Sequence, residues 1–162
     1  GSRGSVIPFF LKQVDSRVLP ITDTRMTRFM ITLEEGVDLV WHAFNNAIGG
    51  EIYVKKIPSM SIGDIAKATI SDARHEIVGI RPGEKLHEQM IGAEDAPYTY
   101  EYADYYKILP AIYNWDKDPA RSSGGKIVPS DFTYTSDNNP QQMSVKLLKK
   151  WIQKNYEIIG KI

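Results

Sequence analysis

The chain has 162 residues, and its 20 lysines and arginines balance 20 aspartates and glutamates, so the formal net charge is zero. That length suits one compact domain, and 42% hydrophobic with 25% charged residues is a folded, globular composition, which excludes disorder along the whole chain. Charge balance excludes global electrostatic capture of nucleic acid or of a membrane surface, and no apolar run approaches the roughly 18–20 residues that span a bilayer.

Val6, Ile7, Phe9, Phe10, Leu11 and Val14 surround Pro8 behind a Gly-Ser loop or cap, which predicts a helix with proline in its first turn. An extended segment follows over Leu19–Thr22, then a turn at Asp23–Arg25 and a second extended piece over Arg28–Ile31. Thr32 and Glu35 stand at capping-box spacing ahead of Val37, Val40, Trp41 and Phe44, one face of a helix that Gly49-Gly50 stops. Glu51–Lys55 reads as a strand. Ser61 and Asp64 repeat the capping spacing for a helix carrying Ile62, Ile65, Ala66 and Thr69. A strand is predicted over Glu76–Ile80, ending in Arg81-Pro82-Gly83-Glu84, with a short helix over Lys85–Ile91. Five tyrosines between positions 98 and 106 predict strands or a partner-facing surface. Proline, serine and glycine make Asp116–Asp131 a loop, and Asp137–Pro140 is a turn. Ser144 then caps a final helix with Leu147, Leu148, Trp151 and Ile152 on its apolar face. Strand and helix alternate through the middle of the chain, so the fold class is α/β or α+β.

There is no cysteine, which removes disulfides, thiol nucleophiles and thiolate zinc sites, and His42, His75 and His87 form no ligand motif. His42 reads as structural and His87 as a helix-surface residue. Dinucleotide, P-loop, metalloprotease and nucleophile-elbow motifs are all absent. What remains is a set of arginines. Arg81, at a strand end before Pro-Gly, aims a guanidinium where α/β folds bind phosphates, and Glu84 is placed to accept from sugar hydroxyls. The plainer reading of the pair is a surface ion pair or a helix N-terminal charge. Arg28 lies in an apolar setting and needs an anion, either Asp23 or Glu34 or a ligand diphosphate. Arg3 sits in a glycine loop whose amides are suited to an anion.

In order along the chain, GSRGSVIPFF (1–10), PITDTRMTRFMITLEEGV (20–37), GGEIYV (49–54), KIPSM (56–60) and IRPGEKLHE (80–88) resemble one family. They are similar to the C-terminal half of the inverting UDP-N-acetylglucosamine 4,6-dehydratases of pseudaminic acid biosynthesis, extended short-chain dehydrogenase/reductases. The resemblance covers most of residues 1–92, and more loosely the rest. It implies the substrate-binding portion of that α/β fold, with the Rossmann half missing from this chain. Residues 1–92 would form the nucleotide-sugar-binding portion and 93–162 a tyrosine-rich extension of the same domain or an interface.

For the complete enzyme the resemblance implies a redox-neutral lyase reaction. NADP takes hydride from C4, the C5 proton and C6 hydroxyl leave as water, and hydride returns to C6 with C5 reprotonated on the opposite face. The cofactor loop and the catalytic Tyr/Lys/Asp group belong to the preceding half, so this chain is expected to hold neither NADP nor a catalytic residue. By resemblance, Arg28 and Arg81 take the diphosphate and Glu84 the uridine ribose. Arg3, Ser5, Val6 and Phe9 line the nucleotide, and Ile21 and Thr22 lie near the uracil. Expected partners are the UDP-sugar and either the missing N-terminal half or another copy, in a cytoplasmic bacterial homo-oligomer without nucleic acid or membrane. Isolation of this half should bare the helices over Val6–Val14 and Leu33–Phe44. The alternative is a non-catalytic nucleotide-sugar-binding or assembly module.

Overall fold

A computed structural model describes residues 5–112, 118–157 and 159, which fall into two compact units interleaved along the sequence. The first takes the described parts of Gly1–Met30, Pro58–Glu88 and Ser136–Ile162, and the second takes Ile31–Ile57 and the described parts of Gln89–Thr135.

In the first unit, helix α1 (Val6–Leu11) starts behind an extended Ser5, and Pro8 sits in the first turn, where an amide has no intrahelical partner anyway. Strand β1 (Val18–Ile21) pairs in parallel with β5 (Arg74–Ile77), and β2 (Thr27–Phe29) pairs antiparallel with β4 (Ser59–Ser61). Helix α3 (Ile62–Thr69) begins where the Ser61 hydroxyl accepts the Asp64 amide at 3.0 Å. Helix α4 (Val145–Asn155) begins the same way, Ser144 accepting from Leu147 at 3.2 Å. Apolar positions spaced three and four apart then face inward. Ile62, Ile65 and Ala66 of α3 meet Ile7 and Phe10 of α1, Leu148 and Ile152 of α4, and Leu19 and Ile21 of β1 in one core.

In the second unit, helix α2 (Leu33–Asn46) opens on a complete capping box. The Thr32 hydroxyl accepts from the Glu35 amide at 3.1 Å, and the Glu35 carboxylate accepts from the Thr32 amide at 2.8 Å. Strands β3 (Ile52–Lys55), β7 (Thr99–Glu101), β8 (Tyr105–Ile108) and β9 (Lys126–Ile127) form an antiparallel sheet in the order β3-β8-β7-β9. A separate pair joins β6 (Gln89–Ile91) to β10 (Tyr134–Thr135). The Tyr134 hydroxyl donates to the Ile57 carbonyl and accepts from the Ile57 amide, so a buried phenol satisfies a stretch of main chain that belongs to no ladder. His42 of α2 meets Tyr53 edge to face and Tyr105 at a tilt, and Tyr102 stacks on Tyr105 at 4.6 Å. Tyr100, Tyr105 and Tyr106 of the tyrosine-rich stretch lie on β7 and β8, and His42 packs against Tyr105.

The structure departs from the sequence reading at four places. Helix α2 ends at Asn46, short of the glycine pair, and β5 spans 74–77 rather than 76–80. No helix forms over Lys85–Ile91. The Leu86 carbonyl is taken by the Thr27 amide and both the Lys85 and Leu86 carbonyls by the Arg28 guanidinium, while Glu88 is tied to Ser136, so the helical ladder has lost its acceptors. The expected loop over 116–131 is part turn and part β9, and its positions 116 and 117 lie outside the described residues. No helix among the described residues is long and apolar enough to cross a membrane.

Candidate functional site

The candidate residues that the structure describes all belong to the first unit; Arg3 lies outside the described residues. The centre of the site is a turn. In Arg81-Pro82-Gly83-Glu84 the Glu84 amide donates to the Arg81 carbonyl at 3.0 Å, and Gly83 holds φ at +82°. Proline second and a left-handed glycine third define a type II turn. Its ends close a second time where the Glu84 carboxylate accepts from the Arg81 amide at 3.2 Å. The turn thus presents an exposed Arg81 whose side chain makes no hydrogen bond or ion pair among the described residues. A carboxylate has about four lone-pair sites, so Glu84 keeps acceptor capacity beyond that bond.

Arg28, on β2, reaches the same loop from below. Its Nη1 donates to the carbonyls of Thr27 at 2.7 Å and Leu86 at 3.1 Å, and its Nη2 to Lys85 at 3.2 Å. The Glu84 carboxylate stands 4.0 Å from Nη2 and the Glu88 carboxylate 3.5 Å from Nε. Asp23, one of the anions expected for Arg28, is bonded to Arg25 instead, and Glu84 and Glu88 stand beside the Arg28 guanidinium. The hydrogen bonds from the Arg25 side chain and amide pull the Asp23 carboxyl down to about 2. Half-buried Arg28 is thus a brace as well as a charge, binding the 85–88 segment to β2 and keeping one edge toward the turn.

A third layer was not foreseen. The Ser136 hydroxyl lies 2.6 Å from the Thr27 hydroxyl, which lies 2.8 Å from Nδ1 of His87, and the Glu88 amide donates to Ser136 at 2.9 Å. His87 is therefore a loop residue held by its ring nitrogen, not a helix-surface residue. Separations of 60 and 109 residues hide these contacts from any reading by spacing.

The remaining predicted residues are dispersed over the unit. Ser5 precedes α1, Val6 is half-buried on it, and Phe9 is 40% exposed on its outer side. Ile21 is wholly buried, so its side chain belongs to the core rather than to a ligand surface. Its carbonyl accepts from the Val78 amide, which sets Thr22 beside the start of the 78–88 segment. The structure brings Arg28, Arg81 and Glu84 together around one loop. No group of acidic or histidine side chains among the described residues is arranged to hold a metal.

The polysaccharide biosynthesis protein family model matches residues 1–110. A UDP-N-acetylglucosamine 4,6-dehydratase (inverting) of Campylobacter jejuni is 51% identical over 155 residues, covering 91% of this chain and 46% of that relative. A UDP-glucose 4-epimerase of Rickettsia akari is 40% identical over 154 residues, covering 92% and 45%. Among solved structures, Pen from Bacillus thuringiensis superposes with a TM-score of 0.76 at 28% identity, covering 94% of this chain and 45% of that one. The chain spans less than half the length of each.

Proposed function

The chain belongs to the polysaccharide biosynthesis protein family, and we propose that it holds the UDP part of UDP-N-acetylglucosamine within a 4,6-dehydratase that inverts C5. The product would feed surface-glycan synthesis, with pseudaminic acid and flagellin glycosylation the branch that the sequence wording favours. The observation that carries the reading is the Arg28–Arg81–Glu84 constellation, with Arg81 exposed on a rigid turn and Glu84 two residues behind Pro82. A guanidinium grips two phosphate oxygens at once, and the carboxylate beside it takes the ribose hydroxyls. Anchoring the diphosphate away from the reacting carbons supplies binding energy that orients the hexose. The names of the two relatives differ in sugar and in reaction and share UDP, which supports assigning the nucleotide to a segment both contain.

The reading places NADP and the catalytic groups on the half of the relatives that this chain does not span. No chemical step is assigned to the described residues. The same half is the proposed cover for α2, whose apolar face is bare: Leu33, Val40, Trp41 and Phe44 are 60–76% exposed. On α1, by contrast, Ile7 and Phe10 are buried against the unit's own core.

Calorimetric titration of the full-length protein with UDP tests the site. Arg81→Ala is expected to weaken binding by roughly 10- to 100-fold, the worth of charged hydrogen bonds. Unchanged affinity overturns the site. Incubation with UDP-N-acetylglucosamine should yield a product lighter by one water in the mass spectrum; a product of unchanged mass overturns the dehydratase reading and favours an epimerase.

A further inference from the structure

We infer that His87 is a positioning residue for the nucleotide site, the terminal acceptor of a hydrogen-bond relay that fixes the Arg81–Glu88 segment on β2. The inference rests on the nucleotide reading of Arg81 and Glu84. It follows from accounting for protons. The Glu88 amide can only donate, so Ser136 Oγ accepts from it at 2.9 Å. Ser136 is wholly buried, and the Thr27 hydroxyl at 2.6 Å is the acceptor available to its proton. Thr27 then accepts from Ser136, and its own proton goes to Nδ1 of His87 at 2.8 Å. Every hydroxyl proton finds an acceptor only in this direction. With the relay reversed, Ser136 would accept twice and its proton would be buried without a partner.

That bookkeeping assigns His87 the neutral tautomer with hydrogen on Nε2, whose nearest carboxylate is Asp137 at 3.9 Å. It also explains how a loop without a ladder is held still. The Ser136 amide returns a bond to the Glu88 carbonyl at 2.8 Å, and the Thr27 amide holds Leu86 at 3.0 Å. His87 is pinned by its ring between the two, and the residues on its N-terminal side are those Arg28 braces. The relay thus fixes the C-terminal end of the segment whose N-terminal end displays Arg81. A site residue held by its neighbours' geometry binds without first being ordered, and loosening the segment restores that ordering cost to each binding event.

The test is a matched set in the full-length protein, read as UDP affinity by calorimetry, kcat, and melting temperature. His87→Leu and Thr27→Val remove the relay; His87→Asn and Thr27→Ser preserve an acceptor and a hydroxyl in the same places. The expected result is roughly 5- to 10-fold weaker UDP binding in the first pair, about one hydrogen bond, with near wild-type binding in the second and kcat within about twofold throughout. Melting temperature drops with unchanged UDP affinity in His87→Leu and Thr27→Val would make the relay structural only and overturn the inference. If Thr27→Val does not fold, the half-exposed His87 pair decides alone. Arg81→Ala serves as the reference arm. If it weakens binding and the relay variants do not, only the relay fails; if it too leaves binding unchanged, the nucleotide reading fails and the relay's role fails with it.

Discussion

Gly83 holds the geometry of the site at a single torsion. A Cβ added there meets no atom within 4 Å, so crowding does not demand glycine; the φ of +82° does. A non-glycine residue in the left-handed region costs about 1–2 kcal/mol, and an exposed turn can avoid that cost by changing shape. Gly83→Ala is therefore expected to weaken UDP binding by roughly 5- to 10-fold while the melting temperature moves little, because no core contact depends on the turn. Circular-dichroism melts beside calorimetry check it, and a fall in stability with unchanged affinity would sink the idea. At this scale the sequence was legible where chemistry is local. Arg81 and Glu84 stood out beside Pro82-Gly83 at a strand end, although the type II turn itself was not read. Thr27, His87 and Ser136 were silent, because a hydroxyl finds an imidazole 60 positions away through topology, which no local pattern encodes.

Helix starts were readable for the same reason. Thr32, Ser61 and Ser144 each accept the amide three residues on, a contact whose geometry is set within one turn. The failed helix at 85–91 shows the limit, since its carbonyls are claimed by Arg28 from a distant strand. A second long-range device was equally invisible. Arg121 donates to the Glu51 carboxylate at 3.0 Å and to the Gly49 carbonyl at 2.9 Å, and both charged side chains are buried. The pair clamps the turn after α2, where the Gly49 and Ile48 amides also donate to Glu51. Burial pushes the Glu51 carboxyl up, but these amides and the Arg121 charge outweigh it, so its pKa lies below the usual 4.5. A carboxyl lowered by folding contributes stability above its unfolded value, and that contribution is lost as pH falls through the folded value. Arg121→Met leaves the carboxylate buried without its cation, which is expected to cost about 3–5 kcal/mol at neutral pH. That penalty should shrink as pH falls, because without the Arg121 charge the folded-state pKa of Glu51 rises and its protonation removes the unpaired buried charge. Urea unfolding from pH 7 downward measures both, and an unchanged midpoint across that range would contradict the clamp.

At the scale of the whole molecule, the apolar face of α2 was legible in its residue spacing. Val37, Val40, Trp41 and Phe44 recur at helical spacing, and among the described residues that face stays bare, with Trp41 and Phe44 meeting edge to face on it. The matching expectation for α1 did not hold, because α3, more than fifty residues later, supplies a core for Ile7 and Phe10. Soluble proteins rarely leave a contiguous apolar stripe in water, and relatives about twice as long provide chain to cover it. The chain expressed by itself is therefore expected to elute from size exclusion as self-associated species and to bind a hydrophobic dye. Val40→Lys with Phe44→Glu should shift elution toward monomer and lower dye binding, and both variants lie far enough out on the helix surface to leave its fold intact. Co-expression with the N-terminal half should yield a one-to-one complex that this double variant weakens. A monodisperse, dye-silent monomer of the unaltered chain would show that the face needs no partner, and with it would fall the proposed docking of the two halves through α2.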